Sequence, residues 1–100
     1  PKLDWNFTCD GKACKLSIES KTTASKAKLW IAISDSKDFR KSKWEPITME
    51  TDKDGFAKSV PWPKDGYKAV FGEVTFAGET SDYSLSTQIR MLDKNGAVGP

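Results

Sequence analysis

Apolar and polar residues alternate along most of this chain with a period of two. Leu3, Trp5, Phe7 and Cys9 are interleaved with Asp4, Asn6 and Thr8. Leu16 and Ile18 follow, flanked by Lys15, Ser17 and Glu19. In Lys28 to Ile33, Leu29, Ile31 and Ile33 face one way and Trp30 and Ala32 the other, as in a central strand that is apolar on both sides. Glu45 to Glu50, carrying Ile47 and Met49, is a short strand, and Phe56 to Val60 a weakly alternating one. Tyr67 to Phe76 is the longest, with Gly72 inside it marking a bulge or a close backbone approach. Ser84 to Met91 places Leu85, Thr87, Ile89 and Met91 on one face, the pattern of a strand with one wet side.

Turn dipeptides separate these runs. Asp-Gly occurs at 10–11, 54–55 and 65–66, and Asn-Gly at 95–96. Such pairs tolerate the positive φ of tight hairpins. Pro46, Pro61 and Pro63 bar a long helix through the middle. Only Asp35 to Lys43 has room for a single helical turn. About seven short strands with regular turn signals predict an all-β fold. Sandwich and barrel both fit this count; the favoured architecture is an immunoglobulin-like or fibronectin III-like two-sheet sandwich of antiparallel strands. In that arrangement Trp30 takes the place of the central-strand Trp packed between the sheets. Trp30, Phe7, Tyr67 and Phe71 are assigned to the core. Residues 1–94 are expected to form one domain and 95–100 a C-terminal tail.

Composition narrows the chemistry. The chain has 100 residues, enough for one domain. It contains no His, which removes Ser-His-Asp and Cys-His catalysis and imidazole metal sites. Sixteen basic residues against fourteen acidic ones give a net charge of +2, and only two of the basic residues are Arg. The densest basic patch, Lys37, Arg40, Lys41 and Lys43, has Asp38 inside it and reads as a solvated loop. Nucleic acid is therefore not an expected partner. No run of about 18 apolar residues is present, so no membrane span is expected.

Cys9 and Cys14 are the two cysteines, separated by Asp10-Gly11-Lys12-Ala13. Alone they cannot complete a tetrahedral zinc site. They either face each other across a hairpin as a disulfide or remain two reduced thiols. The spacing favours the disulfide, which would place the protein in an exported setting. The carboxylate groups, Asp35 with Asp38 and Glu50 with Asp52 and Asp54, lack a companion ligand set. Asp52-Lys53-Asp54-Gly55 resembles the start of a calcium loop, but Pro61 stands where an acidic ligand is needed. Neither a metal nor a cofactor is expected. Asn6-Phe7-Thr8 matches a glycosylation acceptor only formally.

Eleven aromatic residues leave more open. Trp62 lies between two prolines, and Phe39 and Trp44 lie in the basic loop. Exposed, they would form a sugar platform or an interface anchor; folded back, they would belong to the core.

Leu29-Trp30-Ile31-Ala32-Ile33-Ser34, then Lys37-Asp38-Phe39-Arg40 and Trp44, resembles a stretch of the PhoPQ-activated pathogenicity-related proteins. Pro1 to Trp5, Gly66 to Phe76 and Tyr83 to Arg90 are similar to further stretches of that family, in the same order. The resemblance implies the C-terminal domain of a longer exported bacterial protein, periplasmic or secreted, associated with virulence. It also implies an α/β-hydrolase-like N-terminal domain as this chain's partner. The absence of a starting Met agrees with a piece of a longer or processed protein. No catalytic residue transfers to this chain, which is expected not to be an enzyme. Asp38, Phe39, Arg40, Trp44 and Trp62 are the candidate interface residues. The alternative is a free-standing secreted module that binds glycan or envelope components through an exposed Trp.

Overall fold

The computed structural model describes residues 4–19, 24–52, 55–78 and 80–98. These form ten strands and no helix. They are β1 (Asp4–Cys9), β2 (Ala13–Glu19), β3 (Ala24–Ser34), β4 (Glu45–Thr48), β5 (Glu50–Asp52), β6 (Gly55–Pro61), β7 (Tyr67–Phe76), β8 (Tyr83–Ser86), β9 (Arg90–Asp93) and β10 (Gly96–Val98). One antiparallel sheet has the order β1-β2-β6-β5, the other β10-β9-β7-β3-β4, with β8 also on β7. The two sheets pack as a β-sandwich. Their strand order matches the A-B-E-D and G-F-C arrangement of an immunoglobulin-like fold.

Ten strands arise where the alternation suggested about seven, for three local reasons. The run from Glu45 to Glu50 divides at Met49, where the chain leaves one sheet for the other. Met49 is buried there, and its N–H donates to the Ala27 carbonyl at 3.1 Å. The run from Ser84 to Met91 divides into β8 and β9, which lie along the same edge of β7 with a one-residue slip between them. The segment 95–100 is not simply a tail: Asn95-Gly96 turns the chain and Gly96–Val98 pairs with Met91–Asp93 as β10. Gly66 (φ 72°) and Gly96 (φ 104°) supply the positive φ that their turns require.

The core lies between the inner faces. Cys14, Leu16 and Ile18 of β2 and Val60 of β6 meet Ala27 and Leu29 of β3, Val70, Val74 and Phe76 of β7, and Leu92 of β9. Each fully buried aliphatic side chain contributes roughly 1.5–3 kcal/mol. Gly72 belongs to this face. A Cβ on it would stand 2.7 Å from Ile18 Cδ1 and 2.8 Å from Leu16 Cδ2, so the close-approach reading of this glycine is the right one. Beside it, the slip between β8 and β9 is closed by Thr87. The Gly72 N–H donates to Thr87 Oγ1 at 2.9 Å, and the Thr87 N–H donates to the Gly72 carbonyl at 2.9 Å. After the slip the inward positions change parity. Leu92 is fully buried and Ile89 is 57% exposed.

Candidate functional site: an aromatic outer face on the larger sheet

Trp30 and Phe71 are not core residues. Both are half-buried, and both alternate with the buried Leu29, Val70 and Val74, so they stand on the outer face of the larger sheet. The expected packing of Trp30 between the sheets is thereby corrected. Inner positions of β3 go to Ala27, Leu29 and Ile31, and Trp30 has the opposite parity. Phe7 keeps its place as a half-buried residue packed on the core, whereas Tyr67 is half-buried away from it.

Three adjacent register rows form the middle of this face, because directly opposed residues share a side of the sheet; Ser34–Tyr67 lies beyond them at one end and Lys26–Thr75–Ser84 at the other. The middle row is Pro46–Trp30–Phe71 across β4, β3 and β7. The Trp30 and Phe71 rings lie 6.3 Å apart between centroids with 16° between their planes. On one side runs a polar row, Thr48–Lys28–Glu73–Ser86. Its Glu73 carboxylate accepts from Trp30 Nε1 at 3.3 Å, which joins the two rows. On the other side, Ala32 pairs with Ala69, and both are almost completely buried although they face outward. Trp44 immediately precedes β4, and its ring lies 5.3 Å from that of Phe71, tilted by 58°. Extending the β3–β4 register by one residue sets Trp44 beside Ala32, and two alanines in that row leave room for its indole.

The loop from Asp35 to Lys43 is tied by its own polar groups. Ser34 Oγ donates to the Asp38 carbonyl at 2.8 Å, and Ser42 Oγ to the Ile33 carbonyl at 2.9 Å. Asp38 receives the Arg40 backbone N–H at 3.0 Å and the Arg40 guanidinium, whose Nη2 stands 2.7 Å away. The guanidinium, and then the backbone N–H, hold the Asp38 carboxyl below its ordinary pKa, and Arg40 is raised in return. Both side chains are exposed and satisfy each other, so they carry little stability. Arg40 does not cover Trp44. The aromatic–cation contact of the described residues is Arg90, 4.8 Å from the Trp5 ring centroid.

The five sequence candidates therefore separate. Trp44 belongs to the outer aromatic face. Asp38 and Arg40 form a local clamp in the neighbouring loop, with Phe39 half-buried between them. Trp62 lies elsewhere, packed against the core, with its backbone N–H donating to the Lys12 carbonyl at 3.0 Å, its ring over Gly96 and its buried indole Nε1 without a hydrogen-bond partner. Cys9 and Cys14 are opposite each other in the β1–β2 hairpin and form a disulfide. Asp10 makes the turn between them. Its carboxylate accepts the N–H groups of Lys12 at 2.7 Å and Ala13 at 2.8 Å, which lowers its pKa. Asp54 lies outside the described residues, and among the described residues no group of three or more potential ligands is placed to hold a metal ion. Trp30, Phe71 and Glu73 were not among the sequence candidates. The signal for them was the odd–even pattern itself, in which Trp30 alternates with Leu29 and Ile31, and Phe71 with Val70 and Val74.

No family model matches the chain, and neither the curated proteins nor the solved structures contain a match to it.

Proposed function

We propose that this chain is a non-catalytic accessory domain of a longer exported protein, and that it works by offering the outer face of its larger sheet as a binding surface. The observation that carries this reading is the gathering of Trp30, Trp44 and Phe71 outside the core, where large aromatics contribute less to folding than they would inside. The resemblance to the PhoPQ-activated pathogenicity-related proteins supports the accessory role, with a hydrolase-like domain as neighbour. The Cys9–Cys14 disulfide supports the exported setting.

Equilibrium urea unfolding separates a binding face from a structural one. The double substitution Trp30→Ser with Trp44→Ser is expected to leave a cooperative fold, less destabilised than the single Leu29→Ala. Leu29 is fully buried, and its truncation should cost about 2–5 kcal/mol. Greater damage from the double variant would mean that the aromatics serve folding, and the reading would fail.

A further inference from the structure

The arrangement of the three rows specifies what kind of ligand suits this face. We propose that the outer face of β4, β3, β7 and β8 binds a neutral oligosaccharide laid across the strands; this rests on the binding-surface reading above. A pyranose ring has an apolar C–H face and a rim of hydroxyls. The face offers the complement of both in parallel lines. Pro46, Trp30 and Phe71 form the apolar line, extended by Trp44. Thr48, Lys28, Glu73 and Ser86 form the polar line two residues along each strand, the next position on the same face. Neighbouring strands are about 4.8 Å apart, close to the rise of one pyranose in an extended glycan, so successive sugars would meet successive strands.

Within the three middle rows, charge complementarity favours a neutral chain over a charged one. The polar line holds one cation and one carboxylate that are Cα partners, and its charge sums to zero. Lys28 and Glu73 close no ion pair with each other, which leaves ammonium and carboxylate available to different hydroxyls. The Trp30 Nε1 bond aims the Glu73 carboxylate at the aromatic line, where a hydroxyl of a stacked sugar would lie. An anionic polymer would meet Glu73, and a cationic one Lys28.

Isothermal titration calorimetry with cello-, xylo-, manno-, laminari- and chitohexaose, and with the charged hexamers of galacturonate and glucosamine, tests this. At least one neutral hexaose is expected to bind, with an affinity that is unchanged in about 0.5 M salt, where charges are screened within a few ångströms. Trp30→Ala should weaken it about tenfold or more, and Glu73→Gln, which keeps the side-chain volume, should weaken it several-fold. Binding of no neutral hexaose at millimolar concentration, equal binding by Glu73→Gln and wild type, or binding of charged hexamers alone would each overturn the proposal. If no hexaose binds while the double Trp variant retains its fold, the ligand class falls and the binding-surface reading stands.

Discussion

Thr87→Val removes a hydroxyl and keeps the shape. In the folded chain Thr87 is 6% exposed, and its Oγ1 is the acceptor for the buried Gly72 N–H at 2.9 Å. The same hydroxyl donates to the Gln88 carbonyl at 3.1 Å, but Gln88 is exposed and water can replace that bond. Valine retains the methyl that faces Gly72 and leaves the buried glycine N–H without its acceptor. A buried donor stranded in this way costs about 1–3 kcal/mol. Taking about 2 kcal/mol, the melting temperature of a domain this size falls by roughly 10 °C. Thr87→Ser is the control: it keeps the acceptor and loses one methyl, worth about 1 kcal/mol. Urea unfolding followed by tryptophan fluorescence, with the disulfide intact, should rank wild type above Ser and Ser above Val. A valine variant as stable as wild type, or a serine variant less stable than valine, would refute the view that Thr87 closes the slip between β8 and β9.

Gly72→Ala places a methyl against Ile18 and Leu16, both 1% exposed, and is expected to cost about 1–3 kcal/mol in the same assay. Ala32→Leu should lift Trp44 from Phe71 and be read as a change in Trp44 indole chemical shift with the core resonances unmoved. The double substitution Cys9→Ser with Cys14→Ala should lower stability by about 2 kcal/mol, since the closed loop is short; thiol titration of the unfolded, unreduced wild type should find no free thiol. The Asp38 carboxyl, lowered first by the Arg40 guanidinium, should titrate below the ordinary 3.8 by NMR and return toward it in Arg40→Ala. Because its folded pKa lies below the unfolded one, its small contribution is fully present above the unfolded value and disappears as pH falls through the folded value.

Alternation identified the strands because each sheet has one buried side, and a period of two then states which residues go inward. Leu29 and Ile31 were legible for that reason, whereas on β7 the core assignment of Tyr67 and Phe71 chose the wrong face and missed Val70 and Val74. The same rule carries the outward set, but the analogy with the Trp packed between immunoglobulin-like sheets, and the need of a sandwich core for aromatics, favour Trp30 and Phe71 for the core. Fold analogy and strand parity point in opposite directions, and parity decides. The pattern failed at Ile89 and Met91, where a one-residue slip reverses inside and outside; Thr87, a polar residue in an apolar row, was its only mark. Trp62 was less legible, because its position depends on contacts with Lys12 and Gly96, far away in sequence. The pairing of Asp38 with Arg40 is local and could be read from spacing, whereas its separation from Trp44 depends on the path of the whole loop.

The central claim is that Trp30, Trp44 and Phe71 form a surface that stays open in the protein to which this domain belongs. Hydroxyl-radical footprinting, read residue by residue on the isolated chain and on the longer parent, tests it most directly. The account predicts that the three aromatics are oxidised in both, at similar rates and together, while the fully buried core residue Leu16 is protected in both. Protection of Trp30, Trp44 and Phe71 in the parent alone would show that a neighbouring domain covers this face, and would contradict the account.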